Sequence, residues 1–229
     1  RRQVVSVLPP TALHFPMSKA LVEAGFHVIC EKPMTMSVEE AEALAAIVLK
    51  QGVVFALAHT YTGYPMIRQM RAMVRDGMIG AIRKIDGRYY QDWLNPVLRE
   101  GSNRGPVWRL DPGVVGPSCC TGDIGVHAFN LVEYVSDLTI DQVLAETHTL
   151  TEDNELDVDA SILVRANNGS KGVICASQIA TGEENDVSLA LYGQKGALKW
   201  SHRVPDSLTY LPEGAPEQTL TAGQAYLPA

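Results

Sequence analysis

Between Val4 and Leu57 three short apolar runs alternate with two longer segments patterned for helices, and this order constrains the fold more than any other feature. The runs lie at residues 4–8, 27–30 and 53–57 and read as strands, the first buried on both faces and the second buried. After the first, Phe15, Lys19, Leu21, Val22 and Ala24 fall at helical spacing and Gly25 ends the helix. After the second, Ser37 with Glu40 three residues on forms a capping box. Ala41, Leu44, Ala45, Val48 and Leu49 then make one apolar face, closed by Gln51-Gly52. Strand, helix, strand, helix, strand with short links predicts a parallel sheet with right-handed crossovers. Three strands alone leave a long apolar edge. Further strands of the same sheet are therefore expected outside these 229 residues. No Gly-x-Gly-x-x-Gly occurs in the sequence, so a phosphate-cradling turn is expected outside it as well.

From Tyr64 onward the pattern changes. A helix is predicted over about residues 66–75, ended by Asp76-Gly77, then a strand over 79–90 with Ile82, Ile85 and Gly87 at crowded positions. Residues 91–118 are rich in Pro, Gly, Asn and Arg and read as a long loop region, more often functional than idle. A helix is predicted from about Thr121 to Ser136. Alternating strands follow at 157–164, 172–175, 187–192 and 197–200, with turns at Asn167–Ser170 and around Gly193–Gly196. They predict an antiparallel sheet with one face on helices. The other face carries polar and small residues and is expected to serve as a subunit interface, giving a homodimer or homotetramer. The tail from Pro212 shows no packing pattern and reads as a truncated end. The resulting division is residues 1–60 and 61–229.

A hydrophobic fraction of 46% and a charged fraction of 20% are ordinary for a globular protein. The net charge of −7 argues against a nucleic-acid partner, because no broad face neutralises phosphates. Basic residues gather between Arg68 and Arg88, but Asp76 and Asp86 interrupt them, as on a solvated face. No apolar stretch reaches the roughly 18–20 residues of a membrane span, and the opening residues show no signal-peptide pattern. Cys30, Cys119, Cys120 and Cys175 include no Cys-x-x-Cys pair, so no zinc site is expected. Reduced thiols are expected instead, and with them a cytoplasmic location.

Three clusters bear on chemistry. Glu31-Lys32-Pro33 follows the second strand, where open α/β sheets place their ligands, and a lysine there can favour negative charge on a substrate oxygen. The competing reading is a solvent-exposed lysine in a turn. Asp123 and His127, four apart at a helix start, share one face. His127 suits proton transfer, with an ordinary pKa near neutrality. Asp123 would orient it or contact a substrate hydroxyl, and Gly122 and Gly125 would let a ligand approach the backbone. The competing reading is a capping Asp beside a buried His. His14, His59 and His127 share no metal-ligand spacing, so a metal-dependent hydrolase finds little support. Tyr61, Tyr64, Tyr90, Gln91, Trp93 and Trp108 are candidates for lining a hydroxylated ligand's site or for packing.

In order, Val5-Ser6-Val7-Leu8-Pro9-Pro10-Thr11-Ala12-Leu13-His14, Glu31-Lys32-Pro33 and Gly122-Asp123-Ile124-Gly125-Val126-His127 resemble the glucose–fructose oxidoreductase / inositol dehydrogenase / rhizopine catabolism protein (Gfo/Idh/MocA) family, over residues 4 to about 200. The resemblance implies an α/β protein. The C-terminal part of a Rossmann parallel sheet is followed by an α/β domain with a large open, mostly antiparallel sheet. It implies an oxidoreductase that passes hydride between NAD or NADP and a hydroxyl or carbonyl of a sugar, cyclitol or related polyol. Lys32, Asp123 and His127 would be catalytic, with the Lys32–Pro33 bond often cis in such proteins. Leu8, Pro10, His14, Glu31, Lys32 and Pro33 would lie along the nicotinamide half of the cofactor, and Trp108-Arg109 would reach towards it or the substrate. Pro9 stands where many members have Thr, removing a hydroxyl from that wall. Without the glycine motif, these residues alone are expected to bind cofactor weakly or not at all. The alternative is a non-catalytic oligomerisation or binding module.

Overall fold

A computed structural model describes residues 3–100, 108–149 and 155–224. The first part is a three-stranded parallel sheet, β1 (Val4–Val7), β2 (His27–Cys30) and β3 (Phe55–Leu57), in that spatial order. Its crossovers are α1 (His14–Glu23) and α2 (Val38–Gln51). Ser37 caps α2 by accepting from the Glu40 amide, and the Glu40 carboxylate reaches back to the Met36 amide, one residue earlier than a strict capping box. Gly52 closes the helix at φ 57°, a conformation that costs glycine little.

Val7, Val22, Val28, Cys30, Leu44 and Val53 form this part's buried core. Ser6, Ile29 and Ala56 stand in register on the opposite face and are exposed. Among the described residues the strands are thus covered on one face. Two successive right-handed crossovers running the same way put both helices on one side.

The second part is an eight-stranded sheet ordered β11-β10-β9-β8-β4-β7-β6-β5. Its strands are β4 (Ile82–Tyr90), β5 (Ile140–His148), β6 (Asp159–Ala166), β7 (Lys171–Ser177), β8 (Asp186–Gly193), β9 (Gly196–Ser201), β10 (Ser207–Pro212) and β11 (Gln218–Thr221). All pairings are antiparallel except β4 with β7. The helices of this part are α3 (Pro65–Arg75), α4 (Leu94–Glu100), α5 (Pro112–Val115) and α6 (Val126–Ser136).

Met66, Ile67 and Met70 of α3 and Leu131, Val132 and Val135 of α6 pack with Ile85, Ile174, Leu189 and Leu198 on one face of the sheet. Gly87 lets α6 lie close: a Cβ there would stand 3.0 Å from Val132 Cγ2. The outer face carries rows such as Leu144, Leu163, Val173 and Asp86, and no described helix covers it.

Three strands escaped the sequence pattern. β5 is an edge strand whose residues are nearly all exposed, so no burial alternation marks it. β10 and β11 pair beyond the predicted hairpin, and Leu220 and Ala222 pack against the core, so the tail after Pro212 is not free of structure. The predicted loop at 91–118 holds α4, a 3-10 turn at Trp108–Leu110 and α5; its residues 101–107 lie outside those described.

Candidate active site

Lys32 leaves the end of β2 through a cis Lys32–Pro33 bond and reaches the segment that leads into α6. Its ammonium donates to Asp123 Oδ1 at 2.5 Å and to the Asp123 carbonyl at 2.7 Å. An ammonium has three N–H groups, so one is left for a ligand. The pair is largely buried, with side chains 16% and 25% exposed, which strengthens the attraction over that of a surface ion pair.

Asp123 lies in a π-helical turn, Thr121–Gly125, and only then does α6 begin. A single α-helix from Thr121 was predicted; the wider turn is a feature found often at functional sites. Asp157 anchors it. One carboxylate oxygen accepts from Ser118 Oγ and the Cys119 amide, both at 2.8 Å, and the other from the Thr121 amide (2.7 Å) and hydroxyl (2.6 Å). These bonds satisfy backbone donors that a helix start leaves unpaired.

His127 occupies the first turn of α6 and is buried. Its ring meets Tyr61 edge-on at 5.0 Å and His59 edge-on at 5.7 Å between centroids. Its Nδ1 is sealed without a hydrogen-bond partner. Burial pushes the His127 pKa down to about 3; the charges of Lys32 and His59 act the same way and Asp123 opposes them. The near-neutral value expected from sequence does not hold, and the ring is neutral across the physiological range. His59 is lowered too, by burial and then by Lys32. Asp123 does not orient His127 through a hydrogen bond: its Oδ2 accepts from Gln178 Nε2 at 3.0 Å and faces Arg109 Nε at 3.7 Å.

Two cavities meet at Lys32, Arg109 and Asp123. The first, about 390 Å³, is walled by Leu8, Pro9, Pro10, His14, Glu31 and Pro33 from the parallel-sheet part. Trp108 and Gly122 close it from the other side. The second, about 400 Å³, is walled by Tyr89, Gln91, Trp93, Ile124 and His127. His14 contributes its ring as wall only. Its two nitrogens already face the Pro33 and Pro9 carbonyls at 2.7 and 2.8 Å, tying the ends of β1 and β2 together. Arg109 stands between indoles, its guanidinium 4.3 Å from the Trp108 ring centroid and 5.7 Å from that of Trp93.

Of the remaining candidates, Gln91 and Trp93 line the second cavity, whereas Tyr61 and Tyr64 lie behind it and Tyr90 lines neither. Gly125 serves packing, since a Cβ there would press on Thr121 and Ala176. Sequence reasoning missed Gln178, Asp157 and Tyr89. Tyr89 Oη donates to Asn185 Oδ1 at 2.5 Å and shares a 2.7 Å hydrogen bond with Tyr61. Each sits at a strand or its end with no motif around it, so its partner is visible only once the sheet is assembled.

Comparison with known proteins bears on this arrangement. The family model described as GFO/IDH/MocA C-terminal domain matches residues 67–199, and that described as oxidoreductase family, NAD-binding Rossmann fold, matches residues 1–59. The chain belongs to the GFO/IDH/MocA family. Among its relatives, YfiI, an uncharacterised oxidoreductase of Bacillus subtilis (strain 168), is 32% identical over 227 residues, 98% of this chain and 58% of the relative. The levoglucosan dehydrogenase of Pseudarthrobacter phenanthrenivorans is 27% identical over 228 residues, 90% of this chain and 57% of the relative. The crystal structure of an inositol dehydrogenase homologue from Azotobacter vinelandii, complexed with NAD+, superposes with a TM-score of 0.91 at 32% identity, covering 98% of this chain and 58% of that one. This family member thus spans about 58% of the length of such relatives.

Proposed function

We propose that the chain carries the substrate side and the nicotinamide edge of an NAD(P)-dependent oxidoreductase acting on a hydroxyl or carbonyl of a sugar, cyclitol or related polyol. The observation that carries this reading is the convergence of Lys32, Asp123 and His127 where the two cavities meet. In it, residues 1–60 face the cofactor and residues 61–229 hold the substrate and form the subunit interface.

The first cavity fits a flat ring: Leu8, Pro9 and Pro10 supply apolar wall, and Glu31, Lys32 and Trp108-Arg109 line its rim. Leu8, Pro9 and Pro10 would hold a nicotinamide there, which would supply the hydride donor or acceptor. The protein's own groups do the rest. The free N–H of Lys32 binds the reacting oxygen and favours negative charge on it. Asp123 holds that ammonium in place and offers its carboxylate to a neighbouring hydroxyl. His127 lines the second cavity with its Nδ1 sealed, and exchange of the hydroxyl proton falls to its ring. Gln91 and Trp93 offer hydrogen bonds and an aromatic wall to a compact hydroxylated ligand.

Solved relatives lend support: an inositol dehydrogenase homologue with NADH and myo-inositol, and levoglucosan dehydrogenase with NADH and levoglucosan. We further propose a homodimer or homotetramer through the uncovered outer face of the large sheet, and a cytoplasmic location, in keeping with four free cysteines. No described helix is long and apolar enough to cross a membrane.

The test is nicotinamide turnover by the full-length protein that contains this chain, read by its near-ultraviolet absorbance against a panel of sugars and cyclitols. Lys32→Ala and His127→Ala should each lower kcat/KM by about 1,000-fold. Full turnover in either variant overturns the assignment.

A further inference from the structure

Behind the Lys32–Asp123 pair lies a buried amide whose orientation is dictated from both sides. Gln178 follows the last residue of β7 and is fully buried. Its backbone is fixed: the amide donates to Val158 O at 2.9 Å and the carbonyl accepts from the Leu94 amide at 3.2 Å. Its side chain spans Asp123 of the π-helical turn and Cys119 just before that turn. Nε2 donates to Asp123 Oδ2 at 3.0 Å, and Oε1 faces Cys119 Sγ at 3.2 Å.

Only one polarity satisfies this chain. An ionised carboxylate can only accept, so the NH2 end of the amide must face Asp123. The carbonyl end then faces Cys119, which must donate its S–H. A thiolate there would oppose an oxygen lone pair. Burial first, then the charges of Asp123 and Asp157, push the Cys119 thiol up to about 12, so it keeps its proton. With Oδ2 held by Gln178, Asp123 turns Oδ1 to Lys32.

We infer that Gln178 is a positioning residue for Asp123, and that the Cys119 thiol sets its direction by donating to the amide carbonyl. The chain runs Cys119 S–H to Gln178 C=O, Gln178 N–H to Asp123 Oδ2, and Lys32 N–H to Asp123 Oδ1. Its catalytic consequence rests on the oxidoreductase reading above; its geometry does not.

Gln178→Glu tests the polarity. The introduced carboxyl group faces Cys119 and Asp123 from the turn, with Lys32 from the end of β2, Arg109 beside Asp123, and Asp157 behind the turn. When protonated it reproduces the amide, accepting from the thiol and donating to Asp123. When ionised it sets a second buried carboxylate against the first. Its pKa is therefore raised on folding, so its contribution to stability is full in acid and lost as pH rises through the folded value. The buried neutral His127 and His59 favour folding as pH rises, and they do so in both chains, so the introduced carboxyl is read from the difference between variant and wild type. Between pH 5 and 8 the melting temperature of Gln178→Glu should fall relative to that of the wild type by about 10 °C. Parallel pH dependence in the two overturns the proposal.

The cysteine variants give a second reading, decisive if Gln178→Glu does not fold. Cys119→Ser keeps a donor and should leave hydrogen exchange of the Gln178 side-chain amide unchanged, as seen by NMR. Cys119→Ala frees the amide and should speed its exchange about tenfold. Equal exchange in the two variants overturns the directing role. Diverging pH slopes without any nicotinamide turnover by the full-length protein would keep the positioning and sink the oxidoreductase reading; turnover with parallel slopes would do the reverse.

Discussion

The two sheets are built to different standards, and the site lies between them. Among the described residues the three-stranded sheet buries six hydrophobic side chains in its core, whereas the eight-stranded sheet and its helices bury twenty-seven. Each sheet leaves one face uncovered. On the small sheet that face shows Ile29 and Ala56 on short parallel strands; on the large one it shows long strands in antiparallel register. Asp123, His127 and Gln178 all stand on the larger unit, held by Asp157 and by packing on β7. Lys32 alone crosses from the smaller unit to complete the group. Among the described residues the proton-handling groups thus rest on the larger core, and the lysine is carried to them by the smaller one.

Core truncations should break the comparison with the largest effect. Leu44→Ala and Leu131→Ala remove fully or almost fully buried leucines, one from each core, and each should cost about 3 kcal/mol. In the small core that loss should open β2 and β3 alone, with amide exchange protection lost there and kept in β4 and β8. In the large core it should lower protection throughout. Equal loss in both sheets after Leu44→Ala would show a single cooperative unit.

The next effect sharpens the claim that His127 is sealed in the larger unit. Its pKa falls from an ordinary 6.5 to about 3 on folding, so stability is full above about pH 6.5 and declines as pH drops towards 3. From pH 8 to 5 the cost should be about 2 kcal/mol, and His127→Gln should remove it in denaturant titrations at the two pH values. An unchanged pH dependence would mean the ring is not buried neutral. Smallest in stability is the outer face. Leu144→Lys with Leu163→Lys, both exposed, should shift folding by no more than about 0.5 kcal/mol each. Sedimentation should nevertheless show weakened self-association; a wild-type chain that stays monomeric at high concentration would sink the proposed interface.

Much of the fold was legible because local rules carry it. The capping box at Ser37, the glycine stop at Gly52 and the alternation in β6, β8 and β9 each act within a few residues. Lys32, Asp123 and His127 stood out for the same reason: a strand-end turn and a helix start are local signals. β5 and β11 were not legible, because an exposed edge strand has no buried face to pattern.

By itself the sequence determined the order of elements, the residue types at the two functional turns, and the family to which they are similar. Only the tertiary structure decided how those turns meet. It placed Lys32 on Asp123 across 91 residues of chain, and gave the other carboxylate oxygen to Gln178 rather than to His127. It also left His127 neutral by burying it against Tyr61 and His59. Charge state and hydrogen-bond direction depend on which groups share a dry space, and that is fixed by packing between distant segments, not by spacing along one of them.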